Sequence, residues 1–392
     1  MAADPPRLSG RRLQIAGSAS KSTEATTIRY AHRLVDHVVR GVLKEGGGLI
    51  LAAGREPRAI EGDNSSPSLL FDWTALESAV GALNEGAARW PASAGAPIVI
   101  VSSEKAEMEI PAERRALWRQ LLETRMVRLE SILPGSRAAA LIRERQAEFG
   151  EVLLTLGGGT GVEHLAELYQ KRRKSVIPLD LPLGASRDDG TGGSARMARE
   201  SRAEPSRFVR MRRGLQDRSN ALLAGLSTRG GAEPDVDIAA RVLDLLFLLA
   251  PPSAFYVRLL NKDHERFTAV ENFFRAVVDP VVAQAGFDRV EMGTDAAEHG
   301  FMNVAIFEGV HFASAVVVDV TGHRPNCFIE LGYALRGTRV IVTAEEGTSL
   351  PFDQNAIPCH FWREDQVDDQ RRSALIEFWR KNIDRPALVQ DR

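Results

Sequence analysis

The chain has 392 residues, with 50 basic and 52 acidic side chains and a formal charge of −2. This length allows two or three domains with cores of their own, which excludes a mini-protein held together by disulfides or a metal. The balanced charge excludes a global positive field, so no nucleic-acid or membrane partner is expected. The two cysteines, Cys327 and Cys359, are too few for a disulfide framework and lack zinc-ligand spacing, so no metal is expected.

The N-terminal segment carries no targeting signal that we recognise. Its first residues, MAADPPRLSGRR, lack the apolar core of a signal peptide. The longest uncharged run near the middle, 245–257, is interrupted by Pro251 and Pro252 and is too short to span a bilayer. Together with the low cysteine content, these features favour a reducing cytoplasm as the location of the protein.

Short apolar runs alternate with helical periodicities through the first half, which predicts a parallel sheet covered by helices. Between the first two runs, apolar residues recur at helical spacing over 24–43 and form one face. Thr74 and Glu77 are spaced as a capping box, which predicts a helix from about Thr74. Further helices are predicted over about 111–131 and 137–149, and strands over 13–16, 49–53, 97–101, 152–156 and 175–179.

Residues 185–235 differ from the rest in composition. Glycines lie at both ends, and the stretch 196–218 holds eight arginines against three acids, a local excess of five positive charges. The composition predicts a Gly/Arg-rich linker or a helical insert between two domains. Two interpretations of the charge remain open: a solvated helix or mobile linker face, or a contact for an anionic ligand or a neighbouring subunit.

A second alternating unit follows over 236–392. It begins with an apolar helix over 236–249. The predicted fold class is therefore α/β, with two doubly wound parallel-sheet domains, 1–184 and 236–392, joined by the arginine-rich insert. In the second domain, strands are predicted near 254–260, 287–292, 315–319 and 339–343, and helices over about 268–284, 300–312, 326–336 and 370–382.

Two glycine-rich loops in the first domain each follow a strand and precede a helix. Such loops offer backbone N–H groups and a helix N-terminus to a phosphate, and glycine lets the ligand approach the backbone closely. Arg55 and Arg58, after the second strand, add charge for phosphate groups. The nucleotide-binding residues expected on this basis are Gly17, Ser18, Gly158, Gly159, Thr160 and Gly161.

The runs QIAGSAS, GGGLILAAG and VLLTLGGGTGVEHLAELY resemble the SLOG superfamily over about residues 10–184. This group includes the LOG phosphoribohydrolases and ligand-sensing domains of bacterial antiphage systems. The resemblance implies a Rossmann-like domain that senses a nucleotide-derived messenger similar to cyclic ADP-ribose. The LOG motif carries a glutamate where this chain has Leu165, while Glu163 and His164 lie out of register. Binding of a nucleotide, without cleavage, is therefore expected of this domain.

The most specific motif is DVTGHRPNCFIELGYA, which begins at Asp319. An apolar strand delivers Asp319 to its carboxyl end, and Asn326 is expected to cap the following helix. Glu330 lies four residues after Asn326 and shares its helix face. A carboxylate there suits N-glycosidic cleavage, whose transition state places positive charge on the ribose, and the helix start favours its ionised form. The alternative is that Asp319 caps a turn and Glu330 makes a surface or interdomain ion pair.

The segment from Phe255 to about Trp362, which includes this motif and a later PFD at 351–353, resembles TIR-like and nucleoside 2-deoxyribosyltransferase-like domains of bacterial nucleotide-cleaving proteins. The resemblance implies a flavodoxin-like sheet, a catalytic Glu330, and contacts from Asp319 and Asn326 to the ribose or base. Asp295 follows the second predicted strand, where these domains place a polar substrate contact; a simple turn aspartate is the alternative.

The two resemblances together predict a nucleotide-sensing antiphage effector. Its second domain is expected to cleave the N-glycosidic bond of NAD or a related nucleotide, under the control of a nucleotide-derived ligand in the first. NAD is expected as a substrate, and no cofactor is expected. The expected partners are this small ligand and further copies of the chain in a homo-oligomer. Two alternatives remain: a non-catalytic nucleotide-responsive scaffold, and a nucleoside or nucleotide glycosidase of deoxyribosyltransferase-like or LOG-like type.

Overall fold

The structure is a computed structural model that describes residues 6–63, 65–90, 96–123, 126–184, 192–227, 233–290, 302–350 and 357–385. The described residues up to Ala250 form one compact unit, and those from Pro251 onward form a second. Each unit contains one sheet in which every pair of neighbouring strands is parallel. The predicted α/β class with two doubly wound sheets is confirmed.

The sheet of the first unit has six strands in the order β4-β3-β2-β1-β5-β6. The chain starts in the middle, builds outward to one side, and then returns to β1 to build the other side. The strand order reverses between β1 and β5, which is the position where doubly wound sheets bind their ligands. The strands are β1 (Arg12–Ser18), β2 (Gly48–Leu51), β3 (Ile98–Ser103), β4 (Val127–Ile132), β5 (Val152–Gly157) and β6 (Ser175–Leu179).

Helices cover this sheet and bury its apolar strands. The first helix has the amphipathic face that the sequence predicted, since Ile28, Leu34 and Val38 are fully buried on it. The helices are α1 (Ala25–Lys44), α2 (Asp72–Asn84), α3 (Glu104–Met108), α4 (Arg115–Glu123), α5 (Ala138–Phe149), α6 (Thr160–Lys171), α7 (Gly193–Ala203), α8 (Pro205–Phe208), α9 (Ser219–Ala224) and α10 (Asp235–Leu248).

Two local predictions in the first unit are wrong. The helix expected over 111–131 ends at Glu123, and 127–132 is the edge strand β4, which pairs with β3. Its charged residues Arg128 and Glu130 lie two apart on one face of the strand and form an ion pair, which suits a partly exposed edge. The capping box is also absent: α2 begins at Asp72, and the Thr74 hydroxyl instead hydrogen-bonds His32 Nδ1 at 2.7 Å.

The structure places the end of the first unit at Ala250, whereas the sequence placed a domain boundary between 235 and 236. Helix α10, expected to open the second domain, buries Ile238 and Leu245 in the core of the first unit. The buried Arg11 guanidinium donates hydrogen bonds to the carbonyls of Leu246 and Leu249 and ties the helix end to β1. The described part of the expected linker contains α7, α8 and α9, which pack on the same unit.

The sheet of the second unit has five strands in the order β11-β10-β9-β7-β8, which is the order of the flavodoxin-like fold. Its helices are α11 (Phe267–Phe273), α12 (Asp279–Gln284), α13 (Met302–Phe312), α14 (Pro325–Leu335) and α15 (Asp368–Asn382), with a π-helical turn over Phe274–Val278. The strands are β7 (Ser253–Val257), β8 (Asp288–Val290), β9 (Ala315–Asp319), β10 (Val340–Glu345) and β11 (Cys359–Trp362).

Strand β11 was not predicted, and it closes one edge of the second sheet. Its last residue, Trp362, is 1% exposed and stacks on Phe273 at a centroid distance of 4.5 Å. Strand β9 lies inside the sheet, between β7 and β10, with every residue buried, as its run of valines predicted. In the part of the chain that the structure describes, no helix has both the length and the apolar character needed to cross a membrane.

Candidate functional site

The two predicted glycine loops lie side by side at the carboxyl edge of the first sheet. Ser18 stands opposite Gly157 in the β1–β5 ladder, and the Gly158 N–H donates to the Ser18 carbonyl at 2.8 Å. Gly157 and Gly158 have φ values of +56° and +70°, which favour glycine. The structure therefore brings the two loops together at the point where the strand order reverses.

This edge also leaves little room for side chains. A Cβ atom on Gly17 would lie 1.8 Å from the Leu156 carbonyl oxygen, and one on Gly158 would lie 2.3 Å from a methyl group of Val162. Gly159 precedes α6 without a side-chain cap, and Thr160 and Gly161 are exposed in the first turn. Because the first N–H groups of a helix have no partner within it, this turn is suited to an anion.

One cation beside the glycine loops was missed by sequence analysis. The Arg143 guanidinium lies 3.6 Å from the Cβ position of Gly161, and its Nε donates to His164 Nδ1 at 3.1 Å. Arg143 belongs to α5, so no local sequence signal connects it to the loop. Of the two predicted cations, Arg55 is exposed, whereas Arg58 contacts Glu56 and Glu113 at 3.8 and 3.9 Å.

The acids near the glycine loops are arranged differently from the LOG motif. Leu165, at the position of the LOG glutamate, is 3% exposed and belongs to the core. Glu163 is half-buried and pairs with Arg196 at 2.7 Å. A carboxyl that the sequence did not indicate, Asp72, lies after β2 and accepts a hydrogen bond from the Ala52 N–H at 2.9 Å. Desolvation raises the pKa of Asp72 to about 6.

In the second unit, Asp319 ends β9 as predicted but is completely buried. One carboxylate oxygen accepts the Thr321 N–H at 3.0 Å, and the other accepts the Thr343 hydroxyl at 2.8 Å and the Trp362 indole N–H at 2.9 Å. Burial raises its pKa, although these three donors act in the opposite direction. Both oxygens of Asp319 therefore accept hydrogen bonds from the protein, whereas the sequence analysis expected them to contact the ribose or base.

Asn326 and Glu330 both lie on α14, which begins at Pro325. Arg324 occupies the capping position, so the prediction that Asn326 caps this helix is wrong. Asn326 is exposed in the first turn, and Glu330 is half-buried in the second. Proline is favoured in the first helical turn because its missing N–H would have no partner there, which explains why the helix starts one residue earlier.

Glu330 differs from Asp319 in its local contacts. Among the residues that the structure describes, Glu330 has no hydrogen-bond or ion-pair partner, so the ion pair of the alternative interpretation is absent there. Desolvation raises its pKa, opposite to the direction expected from the helix start. Its charge and that of Asp319 also raise the pKa of the buried Cys327 thiol, after desolvation, to about 12. The two carboxylates thus lie in one neighbourhood.

Two histidines flank the loop that joins β9 to α14. A Cβ atom on Gly322 would lie 2.8 Å from His264 Cε1, so His264 packs directly on this turn. His323 has a φ of +52° and hydrogen-bonds the Ser349 carbonyl through Nε2 at 2.5 Å. Asp295 lies outside the described residues, as does the PFD segment at 351–353. Within the described ranges, no group of three or more His, Cys, Asp or Glu is arranged to hold a metal ion.

Comparison with known proteins identifies the first unit. A family model described as ATP nucleosidase Cap17-like, N-terminal, matches residues 8–226. The ATP nucleosidase Cap17 of Escherichia coli strain KTE188 is 31% identical over 179 residues, which are 45% of this chain and 34% of that protein. A second Escherichia coli Cap17 matches with the same values. The matched region therefore spans about a third of the length of these curated relatives.

A solved structure, the molybdenum cofactor carrier protein of Chlamydomonas reinhardtii, is 17% identical and covers 60% of this chain and 98% of its own. Its TM-score of 0.30 is too low to support an argument about fold or function. The family model, in contrast, covers more than half of the chain and includes both glycine loops. The chain therefore belongs to the Cap17-like family of ATP nucleosidases, through its N-terminal region.

Proposed function

We propose that this chain is a nucleotide N-glycosidase in which the second unit performs the chemistry and the first unit binds a regulatory nucleotide. The observation that carries the proposal is Glu330, a half-buried carboxylate in the second turn of α14 without a described partner. Leaving a carboxylate in such a place is unfavourable unless a bound group compensates its charge. A ribose that becomes positively charged during bond cleavage is such a group.

The proposed reaction is hydrolysis of the bond between ribose C1′ and the base nitrogen. The electron pair of this bond leaves with the base, and water adds to C1′ and loses a proton. The ionised Glu330 is proposed to face the oxocarbenium-like ribose and to stabilise its charge from a partly buried position. Because burial raises the pKa of Glu330, the acidic limb of the pH–rate profile should lie above the range of an ordinary glutamate.

Asp319 supports this site without touching substrate. Its carboxylate accepts a hydrogen bond from the Thr321 N–H in the turn after β9. This bond fixes the start of the loop that leads to α14. The Thr321 hydroxyl in turn accepts the N–H of Glu345 at the end of β10. Asn326 lies one turn before Glu330 on the same helix face, and we propose that it contacts a ribose hydroxyl or the base.

ATP and NAD are the two substrates that we propose to compare. The matched relatives are called ATP nucleosidases, which favours ATP. The resemblance of the second unit to TIR-like domains favours NAD. Hydrolysis of ATP would give adenine and ribose 5-triphosphate, whereas hydrolysis of NAD would give nicotinamide and ADP-ribose. Chromatography distinguishes the two released bases directly.

The first unit is proposed to bind the regulatory ligand at its glycine loops. The uncapped first turn of α6 and the nearby Arg143 suit phosphate groups, and the core position of Leu165 removes the acid that LOG-type cleavage would use. A nucleotide-derived messenger similar to cyclic ADP-ribose remains the proposed ligand. A role in antiphage defence, a cytoplasmic location and a homo-oligomeric state belong to the same proposal.

A second candidate places the chemistry in the first unit. The family model named for ATP nucleosidases matches this unit, and the Asp72 carboxyl, with a pKa raised to about 6, lies at the same sheet edge as the glycine loops. A carboxyl with such a pKa is suited to proton transfer near neutral pH. In this case, Asp72→Asn would abolish base release and Glu330→Gln would not.

The proposal is tested by incubating the full chain with ATP, NAD and nucleosides, with and without cyclic ADP-ribose, and measuring the released base. Glu330→Gln preserves the size of the side chain and should lower the rate about 10²-fold or more. The matched control is Glu308→Gln, since Glu308 is an exposed glutamate of the neighbouring helix α13. Base release by the control at the wild-type rate, together with its loss in Glu330→Gln, is the expected result. Equal rates in all three proteins would refute the role of Glu330.

A further inference from the structure

A basic cavity lies in the first unit, away from the glycine loops. It has a volume of about 600 Å³, and ten residues line it, among them Arg173, Lys174, Arg207 and Arg210. None of these ten residues is acidic. The cavity lies beyond the carboxyl end of α6, whereas the glycine loops lie at its amino end. A helix of 12 residues is about 18 Å long, so the two places are separate.

The backbone of Arg210 is held on both sides. Its N–H donates to the Ser175 hydroxyl at 3.0 Å, and its carbonyl accepts the Ala250 N–H at 2.7 Å. Its guanidinium donates to the carbonyl of Arg173 at 3.1 Å. This wall of the cavity is therefore preorganised, which reduces the entropy lost when a ligand binds.

Arg173 and Arg210 place two positive charges on one wall of the cavity. Arg210 is solvent-accessible, yet partial burial of its guanidinium and, after that, the charge of Arg173 lower its pKa. Arg173 has a φ of +53°, and its backbone closes the carboxyl end of α6: the Arg173 N–H donates to the Gln170 carbonyl and the Lys174 N–H to the Tyr169 carbonyl, both at 2.9 Å. The helix end thereby holds Arg173 beside Arg210, and two like charges lie near each other, which favours an anionic ligand.

The helix dipole explains only part of this arrangement. Cations are favourable at the carboxyl end of a helix, which accounts for Arg173 next to α6. Arg207 comes from α8 and Arg210 from the segment after it, so neither belongs to that helix end. Lys174 is already used within the fold, since its ammonium donates to the carbonyls of Ala147, Glu148 and Gly150.

We propose that this cavity binds a small molecule with two or more phosphate groups, and that Arg173, Arg207 and Arg210 contact its phosphates. The arginine guanidinium matches phosphate in geometry and charge. Ser206, Ser219 and Gln216 add neutral hydrogen-bonding groups to the lining. The volume lies within the range of small-molecule sites. This second site is independent of the glycine loops and of the proposed reaction.

The test uses inorganic tripolyphosphate as the probe and calorimetry on the full chain. Every protein in this test carries Gly159→Asp. This substitution places a negative charge at the glycine loops and should remove tripolyphosphate binding there. On this background, the additional change Arg207→Gln with Arg210→Gln should weaken tripolyphosphate binding at least about tenfold. The matched control is Arg213→Gln, since Arg213 is exposed and does not line the cavity, and it should bind as the background protein does.

Two further measurements keep the result interpretable. Arg207→Gln alone, checked by thermal unfolding, should weaken binding without loss of the fold, and ATP should bind to the same arginines while adenosine does not. Equal tripolyphosphate affinity in the background protein and the double arginine variant would overturn the proposal. Arginine-dependent binding of a DNA duplex or a phosphopeptide, without binding of tripolyphosphate, would overturn it as well. Loss of base release in Glu330→Gln bears only on the proposed reaction and leaves this result unaffected.

Discussion

The carboxyl edges of the two sheets differ in the groups that they present: backbone groups at the first sheet and carboxyl side chains at the second. At the first sheet, the edge consists mainly of backbone: paired strand ends, two glycines with positive φ and an uncapped helix start. At the second, the edge is built around two carboxyl side chains, a buried Asp319 and a half-buried Glu330. Backbone N–H groups bind anions and stay unchanged during a reaction, whereas carboxylates stabilise positive charge and exchange protons. The difference favours binding at the first edge and chemistry at the second.

The largest expected effect on stability comes from removing the Asp319 side chain at the edge of the second sheet. Asp319→Ala leaves the Thr343 hydroxyl and the Trp362 indole N–H without their acceptor inside the core. Because each unsatisfied buried donor costs roughly 1–3 kcal/mol, the free energy of unfolding of the second unit should fall by about 3 kcal/mol or more. Urea unfolding, with hydrogen exchange of the β9 amides assigning the transition, measures this loss.

The control for this change is Asp365→Ala. Asp365 is exposed and forms its ion pair with the exposed Arg363, so its removal should leave the free energy of unfolding almost unchanged. A loss at Asp319 as small as that at Asp365 would show that the buried hydrogen bonds do not hold this edge together.

A smaller effect is expected at the backbone-built edge. Gly158→Ala places a methyl group 2.3 Å from Val162 at a φ of +70°, so the first unit should lose about 2 kcal/mol of stability and its nucleotide ligand should bind at least about tenfold more weakly. Gly214→Ala is the matched control, because Gly214 has a φ of +82° and open space around it. It should lose only the backbone contribution, about 1 kcal/mol.

The smallest effect concerns the Asp72 carboxyl at the first edge. Its pKa in the folded protein is raised to about 6 from 3.8, so the folded state binds a proton more tightly than the unfolded state. Stability should therefore fall as the pH rises from about 4 to about 7 and level off above that range. The partial exposure of Asp72 limits this change to about 1 kcal/mol.

Asp72→Asn removes this titration while keeping an oxygen that accepts the Ala52 N–H. The variant should gain stability relative to the wild type between pH 4 and pH 7, as measured by urea unfolding at several pH values. A difference between the two proteins that does not change with pH would contradict the raised pKa.

Sequence alone predicts the elements whose signal is local. The buried strands β5 and β9 are mostly apolar, and the amphipathic helix α1 shows its period directly. The edge strands β4 and β11 were missed because their residues are partly exposed and charged or aromatic, so their pattern is weak. The assignment of α10 to the first unit depends on Arg11 and on packing with α1, which no local pattern records.

In the candidate sites, too, the features with a local sequence signal were predicted and those that depend on the folded chain were missed. The glycine loops and the Asp319–Glu330 motif lie within short segments, so their placement at strand ends follows from the sequence. Arg143 and Asp72 reach the first edge from α5 and α2, and only the folded chain brings them there. The direction of the Glu330 pKa was predicted incorrectly because the helix start was visible in the sequence and the burial of the side chain was not.

The most direct test of this account measures binding and base release in the same two variants. Glu330→Gln should bind the regulatory nucleotide with wild-type affinity in calorimetry. Its rate of base release should be at least about 10²-fold lower than that of the wild type. Gly159→Asp should lose the regulatory nucleotide while retaining an intact Glu330. If Glu330→Gln released base at the wild-type rate while Gly159→Asp abolished release even without the regulatory ligand, the chemistry would belong to the first unit, and the division between the two edges would be contradicted.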